Sequence, residues 1–344
     1  MPSLLHDAET AAVAPAVGDW EVLSSVAQLV GETPVVELGR LAAGLPGRIV
    51  VKLEGRNPGG SSKDRAALGI IRSAEASGAL APGATIVESS SGNTGIGLAL
   101  IGRLTGHPVV IVHSADISAE KKALLRAYGA RLVEADWDAA PDDAANPRAV
   151  AAALTAEIPG AWQSRQFDNA DNPNAHFTAT GPELWRQTAA RVTHFVAAIG
   201  TGGTISGVGG FLKQASNGAV RVIGANPVGS TYGGGAEGPI LVDGVGTRWS
   251  RDWWPANVHA AVIDEVRTIP DRRVYDTLHA LALEEGLLLG PSSALAVATA
   301  LEIAADAAPG SVIAVISADS GLNYLTKGFN ADWLHAAGLT GTDA

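Results

Sequence analysis

Short apolar runs alternate with amphipathic helical stretches through most of this chain, and the joints between them are rich in glycine and serine. Residues 49–53 read as a strand and Asn57-Pro58-Gly59-Gly60 as a turn. A helix follows with Ala66, Ala67, Ile70, Ile71 and Ala74 on one face, and Ser61 or Ser62 stands where it needs a cap. Residues 85–87 read as a short buried strand, a helix is expected from about Thr94 to Gly106, and residues 109–112 are the next strand. A further helix spans about 118–128 and stops at Gly129, before a strand that begins at Leu132 and Val133. This alternation predicts βαβ units around a parallel sheet, an α/β fold.

A second series repeats the pattern. Residues 136–161 are rich in Ala, Asp and Pro and read as a loop followed by a helix. Residues 195–199 are a strand, 200–203 a loop, 204–214 a helix and 220–225 a strand. The stretch 228–256 is Gly- and Trp-rich and irregular, whereas 274–285 and 294–307 read as helices and 312–316 as a buried strand. Residues 1–30 carry no turn logic and are expected to be a loose arm. At 344 residues the chain is long enough for two lobes.

Composition narrows the chemistry. There is no cysteine, so disulfides, thiolate metal sites, iron–sulfur clusters and cysteine nucleophiles are excluded. Lys plus Arg total 24 against 35 Asp plus Glu, a net charge of −11, and no basic stripe interrupts that balance. Nucleic acid and anionic membrane are therefore not expected as partners. The eight histidines are scattered without an H-E-x-x-H pattern, and no metal site is expected. No apolar run reaches membrane-spanning length and no secretory signal is readable, which points to a soluble, cytoplasmic protein.

Four loops carry the chemical information, and each leads into the start of a helix, where α/β folds bind ligands. Gly200-Thr201-Gly202-Gly203-Thr204 offers close backbone approach and free amides for a phosphate, or is an ordinary glycine turn. Its spacing is not that of a dinucleotide loop, because Ile205 stands where glycine is needed, and no P-loop exists. Ser61-Ser62-Lys63-Asp64-Arg65 places a lysine on a first helical turn. There the dipole disfavours its charge, and burial would make it a Schiff-base amine; otherwise it is a solvated lysine beside a cap. Ser89-Ser90-Ser91-Gly92-Asn93-Thr94-Gly95 is a nest for a carboxylate, or a hydroxyl turn with a helix cap. Gly290-Pro291-Ser292-Ser293 opens another helix, and its plain reading is an N-cap.

Taken in chain order, the segments 57–65, 91–95, 200–204 and 290–293 resemble the cysteine synthase and cystathionine β-synthase family of fold type II pyridoxal phosphate enzymes. Gly31-Glu32-Thr33-Pro34 and Ala318-Asp319-Ser320-Gly321 match as well, so the resemblance runs from about residue 30 to about 330. It implies a two-lobe α/β enzyme with parallel twisted sheets flanked by helices. Residues 1–56 plus 166–344 would form a larger cofactor-binding lobe, and residues 57–165 a smaller, mobile lobe on the substrate side. The implied cofactor is pyridoxal 5'-phosphate, bonded to Lys63. Asn93 would meet its ring hydroxyl, Gly200, Thr201, Gly202, Gly203 and Thr204 its phosphate, and Ser292 its pyridine nitrogen. Ser90, Ser91, Asn93 and Thr94, with Gln166, would hold the substrate carboxylate. Gly244 opens a glycine segment beside the cleft, in which Arg248 is a candidate reader of a phosphate leaving group or an arginine stacked on Trp249 or Trp253.

The implied reaction is β-replacement on O-phosphoserine, O-acetylserine or serine through an aminoacrylate, with Lys63 as the catalytic base and a homodimer as the working unit. Departures from the family pattern matter. Ser89-Ser90 stands where Pro-Thr is usual, Ser62 where an aliphatic is common, and Ser293-Ala294 where Ser-Gly is usual. These serines are similar to branches that make 2,3-diaminopropionate precursors with an amine nucleophile, although the phosphate loop is the ordinary one. Asn323-Tyr324-Leu325-Thr326-Lys327 and Asp332-Trp333-Leu334 resemble the cystathionine β-synthase branch, yet no cysteine is available to ligate a haem. A serine/threonine dehydratase and a non-enzymatic binding partner are the remaining alternatives.

Overall fold

The computed structural model describes residues 22–90 and 92–339. The arm expected over residues 1–30 falls, over 1–21, outside the described residues. Its remainder carries a 3-10 turn, Val26–Leu29, closed by a capping box between Ser25 and Gln28. The strands are β1 (Val35–Glu37), β2 (Arg48–Leu53), β3 (Ile86–Ser89), β4 (Val109–His113), β5 (Arg131–Glu134), β6 (Trp162–Gln163), β7 (His194–Ala198), β8 (Arg221–Pro227), β9 (Glu265–Ile269) and β10 (Val312–Ser317). The helices are α1 (Lys63–Ser77), α2 (Asn93–Thr105), α3 (Ala119–Ala127), α4 (Pro147–Glu157), α5 (Asp171–Ala175), α6 (Gly181–Gln187), α7 (Gly203–Ala215), α8 (Asp271–Glu284), α9 (Pro291–Asp306) and α10 (Ala331–Ala336).

Two sheets result. The larger runs β1-β2-β10-β7-β8-β9, parallel except for the antiparallel β1–β2 pair; the smaller, β5-β4-β3-β6, is wholly parallel. Parallel strands covered on both faces are apolar along nearly their whole length, and β10 and β4, polar only at Ser317 and His113, are buried throughout. The period of two then divides each strand between two cores. In the larger sheet Val196 and Val315 pack with Leu295 and Ala298 of α9, while Phe195, Ala314 and Ile316 pack with Val208 and Leu212 of α7. In the smaller sheet Ile86 and Ile111 meet Ala67 of α1 and Ile101 of α2, while Val87, Val110 and Val112 meet Ala151 of α4.

Two elements depart from the sequence reading. The strand β9 sits at an edge of the larger sheet, where a half-covered Glu-Val-Arg-Thr-Ile run carries little apolar signal. Residues 171–187 are helical and include a single π-helical stretch, His176–Thr180. The segment 228–256 is irregular as expected, with two short 3-10 turns, Thr231–Gly233 and Arg251–Trp253. No helix among the described residues is long and apolar enough to cross a membrane.

Candidate active site

Lys63 is the first residue of α1, and the end of β10 holds its turn in place. The Ser62 N–H donates to the Ala318 carbonyl at 2.8 Å, and Ser61 pairs with Asp319 as an isolated bridge. The Ser61 hydroxyl accepts from the Lys63 N–H at 3.2 Å, so Ser61 rather than Ser62 satisfies the helix start. Burial pushes the Lys63 amine below its ordinary value against the pull of the Asp319 and Glu54 charges. A neutral amine is the form that attacks a carbonyl or takes a proton.

The loop 200–204 is shaped by close packing. Gly202 is in the left-handed region at φ +88, and a Cβ there would lie 2.6 Å from the Asn257 backbone. A Cβ on Gly200 would lie 2.8 Å from the Gly244 carbonyl, and the Tyr232 hydroxyl donates to the Gly200 carbonyl at 2.8 Å. Gly203 is packed against the Asn172 amide, which donates to the Thr201 hydroxyl at 3.2 Å. Thr204 and His176 Nε2 are 3.2 Å apart, and His176 Nδ1 meets the Thr180 hydroxyl at 2.9 Å. Burial, with the Arg65 and Lys63 charges, keeps that imidazole neutral. The 171–180 segment, whose Asn174-Ala175-His176-Phe177 resembles the cystathionine β-synthase branch but whose helical form has no apolar period to announce it, is therefore the wall behind this loop.

At the third loop the hydroxyls are already engaged. Ser90 Oγ accepts from the N–H groups of Gly92 (3.3 Å) and Gly95 (3.1 Å). Thr94 donates to Gln166 Oε1 at 2.5 Å, and Gln166 Nε2 donates to the Ser89 carbonyl at 2.8 Å. Below them Glu88, pushed up to about 7 by burial, accepts from the Ser164 hydroxyl and the Ser89 and Gln166 amides. Ser90, Thr94 and Gln166 thus brace the loop, and among the described residues nothing accepts from the amides of Asn93 and Thr94 at the start of α2, where an anion could sit. Ser91 lies outside the described residues.

Lys63, Asn93, Gly200, Thr201, Gly202, Thr204, Gly244 and Ser292 line one recess, which opens into a cleft of about 990 Å³ between the two sheets. Gly203 stands just behind it as the first residue of α7. The recess fits pyridoxal phosphate on its own evidence. It offers a buried amine, a helix start with glycines where side chains cannot stand, and the Ser292 side chain. Among the described residues the buried Oδ1 of Asn93 has no partner. Arg248 lines the cleft mouth, but its guanidinium is engaged by Asp138 and its side chain is 41% exposed. It is Arg251, not Arg248, that lies over a tryptophan ring, that of Trp254. Asp319, Tyr324, Lys121, His176 and Asn172 also shape the site; Asp319 and Tyr324 stand in segments that carry the family resemblance, which gave neither a role.

The chain belongs to the pyridoxal phosphate-dependent enzymes, for the family model described as "Pyridoxal-phosphate dependent enzyme" matches residues 26–319. Within that class its relatives include cysteine synthases and a cystathionine β-synthase. It is 40% identical to cysteine synthase B of Salmonella typhimurium over 89% of this chain and 96% of that protein. It is 35% identical to cystathionine β-synthase of Apis mellifera over 94% of this chain and 64% of that one. Its structure is similar to that of O-ureido-L-serine synthase, with a TM-score of 0.83 and 35% identity over 94% of this chain and 98% of that chain.

Proposed function

We propose that this enzyme replaces a leaving group on the β-carbon of an activated L-serine, with Lys63 as the catalytic base. The observation that carries the reading is convergence. The buried Lys63 amine, the 200–204 loop, the amides at the start of α2 and Ser292 all open onto one cleft. Cysteine and O-ureido-L-serine, in the names of the relatives, both bear a heteroatom on the β-carbon.

When bound, pyridoxal phosphate supplies an electron sink for the α-carbon of the amino acid, which lets a β-substituent depart. The protein's part is positioning and proton transfer. The amides of Asn93 and Thr94, with the dipole of α2, hold the substrate carboxylate, and Gln166 keeps that loop in shape. Lys63 Nζ takes the α-proton and later returns it to the same carbon. Asn93 donates to the cofactor's ring oxygen, and the amides and hydroxyls of 200–204 hold its phosphate. Ser292 would offer a neutral hydroxyl to the pyridine nitrogen, which would hold no proton there as a carboxylate would and so would make the ring a weaker electron sink. The lobe formed by residues 57–165 closes on the amino acid. Arg248 reads a phosphate leaving group by exchanging Asp138 for it.

The working unit is a cytoplasmic homodimer acting on small amino acids. The exposed Val22, Leu23, Val26 and Leu29 supply apolar surface for the second copy. A screen of O-acetylserine, O-phosphoserine and serine against sulfide, homocysteine and a simple amine, read by mass spectrometry, tests the reading. A β-substituted alanine is the expected product and identifies the nucleophile. Pyruvate and ammonia alone, whatever the nucleophile, would make it a dehydratase.

A further inference from the structure

Two lobes meet around one carboxylate that the roles above do not use. Asp319 follows β10 and is only 1% exposed. Its Oδ2 accepts from Nδ2 of Asn93 at 2.7 Å and from the Tyr324 hydroxyl at 2.6 Å. That hydroxyl accepts in turn from Lys121 Nζ at 3.2 Å, with the ammonium 4.4 Å from the centre of the same ring. Asn93 and Lys121 belong to α2 and α3 beside the smaller sheet; Asp319 and Tyr324 follow the last strand of the larger one. The relay therefore crosses the cleft.

We propose that Asp319 is a positioning residue that fixes the Asn93 amide with its nitrogen, not its oxygen, toward the cofactor ring. Asp319 Oδ2 already accepts from the Tyr324 hydroxyl and offers only a lone pair to Asn93, so the atom of Asn93 that faces it must be Nδ2. The second N–H of that nitrogen is then free to donate into the recess that Asn93 lines. Opposite a neutral partner able both to donate and to accept, either amide orientation is satisfied. The oxygen can then turn inward, lone pair against lone pair with the ring oxygen. Burial raises the Asp319 carboxyl, and the Lys121 charge together with the hydrogen bonds from Tyr324 and Asn93 opposes that rise. Gly290 belongs to the same arrangement, because a Cβ there would overlap Asp319 Oδ1. The turn that brings Ser292 to the recess is thus shaped around this carboxylate.

The inference rests on Asn93 facing the ring, as proposed above. It is tested on the cofactor-loaded enzyme by two readouts. One is the ratio of near-ultraviolet to visible cofactor bands, which reports the proton on the ring oxygen; the other is the cofactor dissociation constant. Asp319→Asn should lower the visible share and weaken cofactor binding about tenfold. Lys121→Met keeps the length, removes the charge and should move the bands the same way. The double variant should go no further than Asp319→Asn alone. Unchanged bands and affinity, with only a lower melting temperature, would overturn the proposal. If Asp319→Asn does not fold, Lys121→Met decides the question by the same two readouts. Asn93→Ala separates the two readings. Bands that move there but not in Asp319→Asn defeat the role of Asp319 alone, and bands that move in neither defeat both.

Discussion

Arg65, two positions beyond Lys63, is held by Glu183: Nη1 donates to Oε1 at 2.6 Å and Nη2 to Oε2 at 2.7 Å. Glu54 grips the other side of the guanidinium, at 2.6 Å from Nε, and Lys52 Nζ lies 2.9 Å from Glu183 Oε2. Two cations and two carboxylates are thus packed under the helix that carries Lys63, tying α1 to β2 and α6. Removing one partner of such a set leaves a buried charge uncompensated. Glu183→Ala should therefore cost about 3–5 kcal/mol in chemical denaturation, whereas breaking the exposed Arg48–Glu37 pair should change stability little. Equal, small losses at both sites would refute the assignment.

The same cluster has a pH signature. Burial alone would raise the Glu183 carboxyl, but Arg65 and Lys52 outweigh it and hold it at about 2, below the ordinary 4.5. A depressed carboxyl contributes stability that is present above its unfolded value and is lost as pH falls through the folded one. Wild-type stability should thus fall between about pH 4.5 and 2, and Glu183→Gln should flatten that limb of the denaturation profile. A wild-type profile that is already flat there would contradict this.

Gly202→Ala is expected to be costly for the cofactor rather than for the amino acid. The residue must adopt φ +88 and would press its Cβ against the Asn257 backbone, displacing the loop proposed to hold the phosphate. Purified Gly202→Ala should contain little cofactor, while Gly244→Ala, whose Cβ would meet nothing within 4 Å, should suffer chiefly from backbone strain at φ +78. Full cofactor content in Gly202→Ala would move the phosphate elsewhere.

Ser90→Ala removes the acceptor for two loop amides, so the nest behind the substrate carboxylate loosens. Amino-acid affinity, followed by the cofactor's spectral change on substrate addition, should fall by about 1–3 kcal/mol with cofactor content intact. An unchanged affinity would remove this loop from the substrate site.

Arg248 supplies the sharpest test of the leaving group. If it exchanges Asp138 for a phosphate, Arg248→Ala should depress turnover of O-phosphoserine about ten- to a hundredfold relative to O-acetylserine. Asp138→Ala should favour O-phosphoserine. Parallel losses on both donors would leave Arg248 as one half of a surface ion pair.

The sequence exposes the parts of this site that depend on local backbone chemistry. Gly200–Thr204, Lys63 at a helix start and Gly92 before α2 are visible because only certain residues suit those turns. The βαβ alternation is legible because buried parallel strands are apolar along nearly their whole length, as in β4 and β10. What escapes depends on distant pairing. Asn172 and His176 stand behind the phosphate loop from a short helix and a π-helical stretch with no amphipathic period. Asp319 meets Asn93 across 226 positions of chain, and a lone polar residue gives no sign of its partner. In sequence the serines of the third loop suggest substrate contacts, but Ser90 in the fold satisfies its own backbone.

Borohydride reduction of the cofactor-loaded protein, followed by peptide mapping, tests the central claim most directly. Lys121 makes the test exacting, because it is a second buried lysine lining the same cleft and close to Gly92. Lys63 differs in having its charge disfavoured by burial at the start of α1, whereas Lys121 is engaged by the Tyr324 hydroxyl and ring. The predicted result is a single labelled peptide carrying the reduced cofactor on Lys63, and its absence in Lys63→Ala. A label on Lys121, or one that survives in Lys63→Ala, would contradict the account.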